Sequence, residues 1–333
     1  MKQELQLAGF KKYGDTVDGA MVEISSINSS SLCSFGIGFL DSQLIKIHPQ
    51  SLIVITADSG IGKTSFVSDI AIHNEESGRR VACIFLEGDK QGFQKETVWQ
   101  EIIRLMKEDN KSIPPHYNFT RFRNNMITDI KDIQDKAVLN NKKKYGNLQL
   151  FDRDEFEEIN SSTISSILTS ISEHVDLIVI DHLHYFDNTF SETQNKEITL
   201  IMKQIKKFTD ISKTPVVLVS HVKKPYGNKL IILDMYDLKG SSAIYQEADE
   251  CIMLAQYTNS QSFDPLSNNS PTLFRVAKSR CGVSKMLIGM HNYLKDDRKY
   301  SEEFEEFYLR ENWYDADQKK YYPQKLLPTR RNG

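Results

Sequence analysis

The sequence lacks paired cysteines, long apolar runs and any excess of positive charge, and each shortage removes a class of function. Its four cysteines (Cys33, Cys83, Cys251, Cys281) stand far apart with no Cys-x-x-Cys pair. That spacing argues against a disulfide framework or a cysteine-built zinc site, and for a reducing compartment. No apolar stretch approaches the ~18 residues of a membrane span, and the N-terminus lacks the layout of a secretory signal. A cytoplasmic protein with no membrane contact is expected. The formal net charge is −3, so any surface for nucleic acid must be a local patch. No internal repeat is present. What remains is 333 residues, 39% apolar and 26% charged, ordinary for a soluble chain and enough for one large or two small domains.

Residues 1–34 are polar and serine-rich near their end, and read as an arm or linker. From about 35 to 300, apolar runs at 52–56, 81–86, 177–180, 216–220, 251–256, 274–277 and 286–290 predict strands that alternate with helical stretches. Ile198, Ile201, Met202, Ile205 and Phe208 recur at the helical period. Near-continuous apolar strands alternating with helices imply an α/β fold, a mostly parallel twisted sheet covered by helices on both faces. Residues 107–150 are charged and amide-rich and predict surface helices. Residues 301–333 carry Lys319-Lys320 and Arg330-Arg331 and predict a basic, mobile tail.

The densest signal is LIVITADSGIGKT at 52–64: an apolar run, a small-residue loop, then Gly-Lys-Thr opening a helix. A small residue, four others and Gly-Lys-Ser/Thr form the phosphate loop of a nucleotide triphosphatase. Gly60 and Gly62 let backbone amides curl around a phosphate at a helix N-terminus. Lys63 brings charge to the β- and γ-phosphates, and the Thr64 hydroxyl is placed for Mg²⁺. Ala57 replaces the usual first glycine with another small residue. Downstream, DLIVID at 176–181 is an apolar strand ending in a carboxylate, so Asp181 is the second candidate Mg²⁺ residue. The strand at 81–86 delivers Glu87 to the same edge, where it can polarise the attacking water; Asp89 is the alternative. The strand at 216–220 ends in His221, beside the expected γ-phosphate. A loop with Lys223, Lys224 and Lys229 follows directly, placed to grip a nucleic-acid backbone and move with nucleotide state. His182 and His184 flank Asp181 at a spacing suggestive of a metal site, but are better explained as ordinary core or surface histidines.

Taken in order, ADSGIGKTSF, FLEGD, LIVIDHLHYF, VVLVSHVKKP, DLKGSSAIYQEAD and AKSRCG resemble the RecA-like motor domain of DnaB-type ring helicases. The likeness is nearest to the helicase half of phage primase–helicases and Twinkle, where the sensor strand also ends in His, and it covers about 35–293. The resemblance implies that Asp58, Ser59, Gly60, Ile61, Gly62, Lys63, Thr64 and Ser65 cradle ATP. Glu87 would be the catalytic base, Asp181 the Mg²⁺-associated acid and His221 the γ-phosphate sensor. Lys223, Lys224, Asn228 and Lys229 would track DNA, with Gly240 and Ser241 facing the same channel; Gln246 and Asp249 fall in that segment. Lys278 and Arg280 match a Lys-x-Arg pair inserted into a neighbouring subunit's ATP site. Read by themselves, they are solvated charges.

The implied protein is an ATP-dependent single-stranded DNA translocase, a hexameric replicative-type helicase with ATP sites between subunits. No primase or collar domain is expected, and replication proteins are further partners. Because the end is read as basic, the polymerase-recruiting acidic tail of the family is not assumed. Two other readings share the fold: a RecA/RadA-like DNA-binding recombinase or loader, and a non-helicase ATPase switch in a mobile-element or defence complex.

Overall fold

A computed structural model of the chain describes residues 16–27, 32–58, 60–109, 113–183, 191–222, 232, 241–258, 267–280, 282–283, 285–317 and 319–329. They fall into two units, 1–32 and 33–333. The first contains helix α1 (Val17–Ser26). The second begins with α2 (Gly38–Leu44), β1 (Leu52–Ala57), α3 (Lys63–Glu76), β2 (Val81–Phe85) and α4 (Lys90–Glu108). It continues through α5 (Phe119–Arg123), α6 (Lys131–Lys144), β3 (Gln149–Asp152), α7 (Ile164–Ser172), β4 (Leu177–Asp181) and α8 (Ser191–Ser212). It closes with β5 (Val216–His221), α9 (Ser241–Glu247), β6 (Glu250–Gln256), β7 (Asn269–Ser279), β8 (Leu287–Leu294), β9 (Lys299–Asp315) and β10 (Lys320–Pro328).

Among the described residues the strands form one sheet in the order β10-β9-β8-β7-β6-β1-β5-β4-β2-β3. From β6 to β3 every pairing is parallel, and from β6 to β10 every pairing is antiparallel. The inner parallel strands β1, β2, β4 and β5 are almost wholly apolar because both faces are covered. Leu52 and Val54 of β1, Ile178 and Ile180 of β4, and Val216 and Leu218 of β5 pack with Ile198, Ile201, Met202, Ile205 and Phe208 of α8. The intervening residues Ile53, Ile55, Leu177, Val179, Val217 and Val219 point the other way, onto Phe66, Val67 and Ile70 of α3. Each such side chain taken fully out of water stabilises the fold by roughly 1.5–3 kcal/mol. That holds the strand ends at fixed heights, and the site is built from those ends. A third cluster, around Trp99, Ile102 and Ile103 of α4 and Ala137 of α6, lies to one side.

Two expectations need correcting. The segment at 107–150 ends in an edge strand, β3, whose four residues are only half-buried and so leave no apolar run to read. Residues 301–333, expected to form a basic, mobile tail, instead supply β9 and β10 of the same sheet in their described part. Nor is the segment basic: Glu302, Glu303, Glu305, Glu306, Glu311, Asp315 and Asp317 offset its lysines and arginines. These strands leave little trace in the sequence because few of their described side chains are inside; among these, Tyr300 and Leu309 are the buried apolar residues of β9.

Candidate functional site

The parallel strands β1, β5, β4 and β2 end along one edge. Ala57 is level with His221 across the β1–β5 pairing, and Phe85 with Asp181 across β2–β4. In open α/β sheets this carboxyl edge is where ligands bind. The loop after β1 turns through Gly60 (φ 79°) and Gly62 (φ 92°), left-handed conformations that glycine adopts without strain. Gly62 is also crowded, because a Cβ there would come 3.0 Å from the Tyr300 hydroxyl. Helix α3 then starts at Lys63, aiming its N-terminal amides into the loop. The Lys63 ammonium donates to the carbonyls of Ala57 (2.8 Å) and Asp58 (2.9 Å). Burial lowers its pKa, opposed by the charge of Asp181. Ile61 is half-buried, Asp58 is exposed, and Ser65 is buried on the loop's inner side.

Residues far apart in sequence meet here. The Thr64 hydroxyl donates to Asp181 Oδ2 at 2.8 Å. Burial, with Glu87 nearby, pushes the Asp181 carboxyl up to about 6 despite that hydrogen bond. The chain after β2 folds over the end of β4, with the amides of Leu86 and Glu87 on the Asp181 carbonyl at 2.6 and 3.2 Å. Glu87 Oε2 then lies 3.3 Å from His182 Nε2 and 3.7 Å from His221 Nε2. The two acids therefore share one edge, as the sequence required. Asp89 does not join them: it caps α4 through the Gly92 amide.

Lys278 and Arg280 lie elsewhere. Arg280 follows β7 and pairs with Asp249 (3.1 Å), just ahead of β6; Asp249 itself binds the Leu52 amide and Lys206, both at 2.8 Å. This is the amino edge of β1, about 17 Å along the strand from Ala57 at ~3.3 Å per residue. Lys278 donates to the carbonyls of Tyr245 and Ala248, closing the C-terminus of α9, and burial lowers its pKa. Neither residue reaches the phosphate loop of its own chain. Ser59, Lys223, Lys224, Asn228, Lys229 and Gly240 lie outside the described residues, as does the side chain of Ser241, the first residue of α9.

Sequence reading missed the support behind the loop. Ser65 is bonded to Glu96 (3.0 Å) and Tyr293 (3.2 Å), Arg298 to Glu96 (3.0 Å), and the Tyr300 hydroxyl donates to the Ile61 carbonyl (3.3 Å). Arg298 borders both a cavity of ≈ 420 Å³ beside Thr64 and Glu87 and a second one over Gly60, Lys63 and His221. Glu96 lies on α4, and Tyr293, Arg298 and Tyr300 come from the end of β8, the turn after it and the start of β9, none of which carries a motif. His182, expected to be an ordinary histidine, is the buried partner of Glu87.

Sheet order and strand-end chemistry together define a RecA-like P-loop domain. A family model for the DnaB-like helicase C-terminal domain matches residues 34–294, and the chain belongs to that family. A probable plasmid replicative DNA helicase of Chlamydia psittaci is 25% identical over 230 residues, which is 66% of this chain and 45% of that protein. Replicative DNA helicase DnaB of Mycoplasma pneumoniae is 20% identical over 234 residues, 68% of this chain and 46% of that protein. The chain thus spans about half the length of the curated relatives it matches. Among solved structures, one of an ATPase domain superposes with a TM-score of 0.69 at 16% identity, over 88% of this chain and 99% of that one. A DnaB-like replicative helicase studied for its interactions with primase gives 0.67 at 16% identity, over 87% and 68%. These two likenesses establish the fold. No helix among the described residues is long and apolar enough to cross a membrane.

Proposed function

We propose that this chain is an ATP-driven motor on single-stranded DNA, a replicative-type helicase that works as a hexameric ring of identical subunits. The observation that carries the reading is the 2.8 Å bond between Thr64 and Asp181, with Glu87 folded over the same strand end. The phosphate loop from Asp58 to Ser65 receives the triphosphate on backbone amides, and Lys63 leaves its two carbonyl partners to meet the β- and γ-oxygens. Mg²⁺ fits the oxygen pair of Thr64 and Asp181: an all-oxygen donor set suits a hard cation, and a buried carboxyl raised to about 6 gains a counter-charge from it. When bound, the ion neutralises charge on the β- and γ-phosphates.

Glu87 accepts the proton of the attacking water, held in place by His182. His221, at the end of β5, hydrogen-bonds the γ-phosphate and reports its presence to the loop that follows. In that loop Lys223, Lys224, Asn228 and Lys229, with Gly240 and Ser241 beyond it, hold the DNA backbone, so affinity falls steeply with salt. Lys278 and Arg280 serve the neighbouring subunit's ATP, stabilising charge that develops on the transferring phosphoryl group. Their place at the far edge of the sheet supports supply in trans.

The test is ATP turnover by the full chain with and without a single-stranded oligonucleotide, alongside particle mass. Stimulated turnover by an assembly of several protomers is expected. Turnover indifferent to oligonucleotide, from a particle with the mass of one chain, would overturn the reading.

A further inference from the structure

Glu87, His182 and His221 converge more closely than a base and a sensor require. Glu87 follows β2, His182 follows β4 and His221 ends β5, so three adjacent strands fix the three side chains. Both imidazoles turn Nε2 toward the same carboxylate oxygen, at 3.3 and 3.7 Å. The rings meet at 75° with centroids 4.2 Å apart, and the three ligand atoms lie within 4.8 Å of one another.

The spacing selects an ion. A tetrahedral centre with bonds of about 2.0–2.1 Å separates its ligands by roughly 3.4 Å. Octahedral Mg²⁺, with bonds of similar length at right angles, brings neighbouring ligands to about 2.9 Å and prefers oxygen. The carboxylate lies 3.3 and 3.7 Å from the two imidazoles, with all three ligand atoms within 4.8 Å, nearer the first case in distance and matching it in donor chemistry. His182 is buried, whereas Glu87 is open to solvent, which leaves room for water as a fourth ligand. The Thr64–Asp181 pair alongside offers only oxygens. Two neighbouring sites would therefore sort two metals by donor type.

We propose that, without nucleotide, this edge binds a zinc-class divalent cation through Glu87 Oε2, His182 Nε2 and His221 Nε2, and that the bound ion stops ATP hydrolysis. Both imidazoles bind as neutral rings with their proton on Nδ1. The ion occupies the lone pair with which Glu87 would take a proton from water, and the nitrogen that His221 would turn toward the γ-phosphate. The inhibitory half rests on the function proposed above; the metal half does not. The plainer account of the same distances is that the histidines only hold Glu87 by hydrogen bonds, and the experiment separates the two.

The full chain, stripped with a chelator and free of nucleotide, is titrated with Co²⁺ and followed by visible absorption. One equivalent with the intense bands of tetrahedral cobalt is expected, displaced by Zn²⁺. Glu87→Gln, near-isosteric at a solvent-exposed position and therefore safe for folding, is expected to weaken Co²⁺ binding by at least ~10–100-fold, the loss typical of even outer-shell changes. His182→Gln should do the same. Absence of the tetrahedral bands in the wild type, or equal binding by Glu87→Gln, overturns the proposal. With Mg-ATP present, one equivalent of Zn²⁺ should suppress turnover and chelator should restore it; turnover unchanged by bound Zn²⁺ overturns the inhibitory half. A chain that turns over ATP but binds no Co²⁺ refutes this inference alone. One that binds Co²⁺ but never hydrolyses ATP refutes the proposed function and leaves the metal site standing.

Discussion

Strands β1, β2, β4 and β5 and strands β7 to β10 share one sheet but follow different rules. The first group is buried on both faces, with its site chemistry at the last residue of a strand, as with Asp181 and His221, or just beyond it, as with Glu87. In the second group exposure grows outward: β7 and β8 are mostly buried or half-buried, exposed positions recur along β9 and β10, and Tyr300 of β9 with Arg298 of the turn before it braces the phosphate loop from outside. The contrast teaches that strands locked from both sides can hold reacting groups to within a fraction of an ångström. The outer strands act at second hand.

If that division is right, changes at the strand ends remove turnover and spare the fold, and changes among the outer strands do the reverse. The largest effect is expected from Arg280→Ala at the boundary between the halves. A charge supplied in trans should be worth about 10³-fold or more in kcat with nucleotide affinity nearly intact; equal loss of both in binding and turnover assays would break the assignment. Thr64→Val removes a hydroxyl from the metal edge and should lower kcat by about 10²–10³-fold, with Tm close to wild type by calorimetry. Leu309→Ala, deep in β9, should reverse the pattern: about 3 kcal/mol lost in denaturant melts, with ATP affinity retained. Gly289→Ala in β8 sharpens the same point, because its new Cβ would fall 2.1 Å from the Phe39 ring; about 2 kcal/mol is expected.

The last prediction concerns pH. Burial, then the charge of Glu96, pushes the Asp69 carboxyl from 3.8 to about 8. Folded chains therefore hold this proton more tightly than unfolded ones, and between those values rising pH destabilises the fold. Asp69→Asn stays neutral, so its Tm advantage over wild type should grow from pH 4 to pH 8. A constant difference would show that the carboxyl is not perturbed.

These differences explain what the amino-acid order revealed. LIVIT, VACIF, LIVID and VVLVS announce strands because every residue in them is inside, and the polar groups at or just after the end of each run marked the edge of the candidate site. The phosphate loop was legible for the same reason: glycine, lysine and threonine at fixed spacing have few other uses. β9 was not legible. Its acids face water, and its anchors are a tyrosine and a leucine nine residues apart. The closeness of His182 to Glu87 was not legible because it depends on how the chain after β2 crosses the end of β4, which no local pattern encodes. The role expected of Arg280 rests on family likeness alone, since an arginine paired with Asp249 at a strand end has no distinguishing mark.

The hydroxyl of Tyr300 against the Ile61 carbonyl has a practical corollary for anyone trimming this polypeptide. The family match stops at residue 294, and a recombinant fragment designed to that limit would discard the tyrosine, together with Arg298. Such a fragment would keep every recognisable motif while losing the outside brace on its phosphate loop, and weak nucleotide affinity in it would report the trimming rather than the motor.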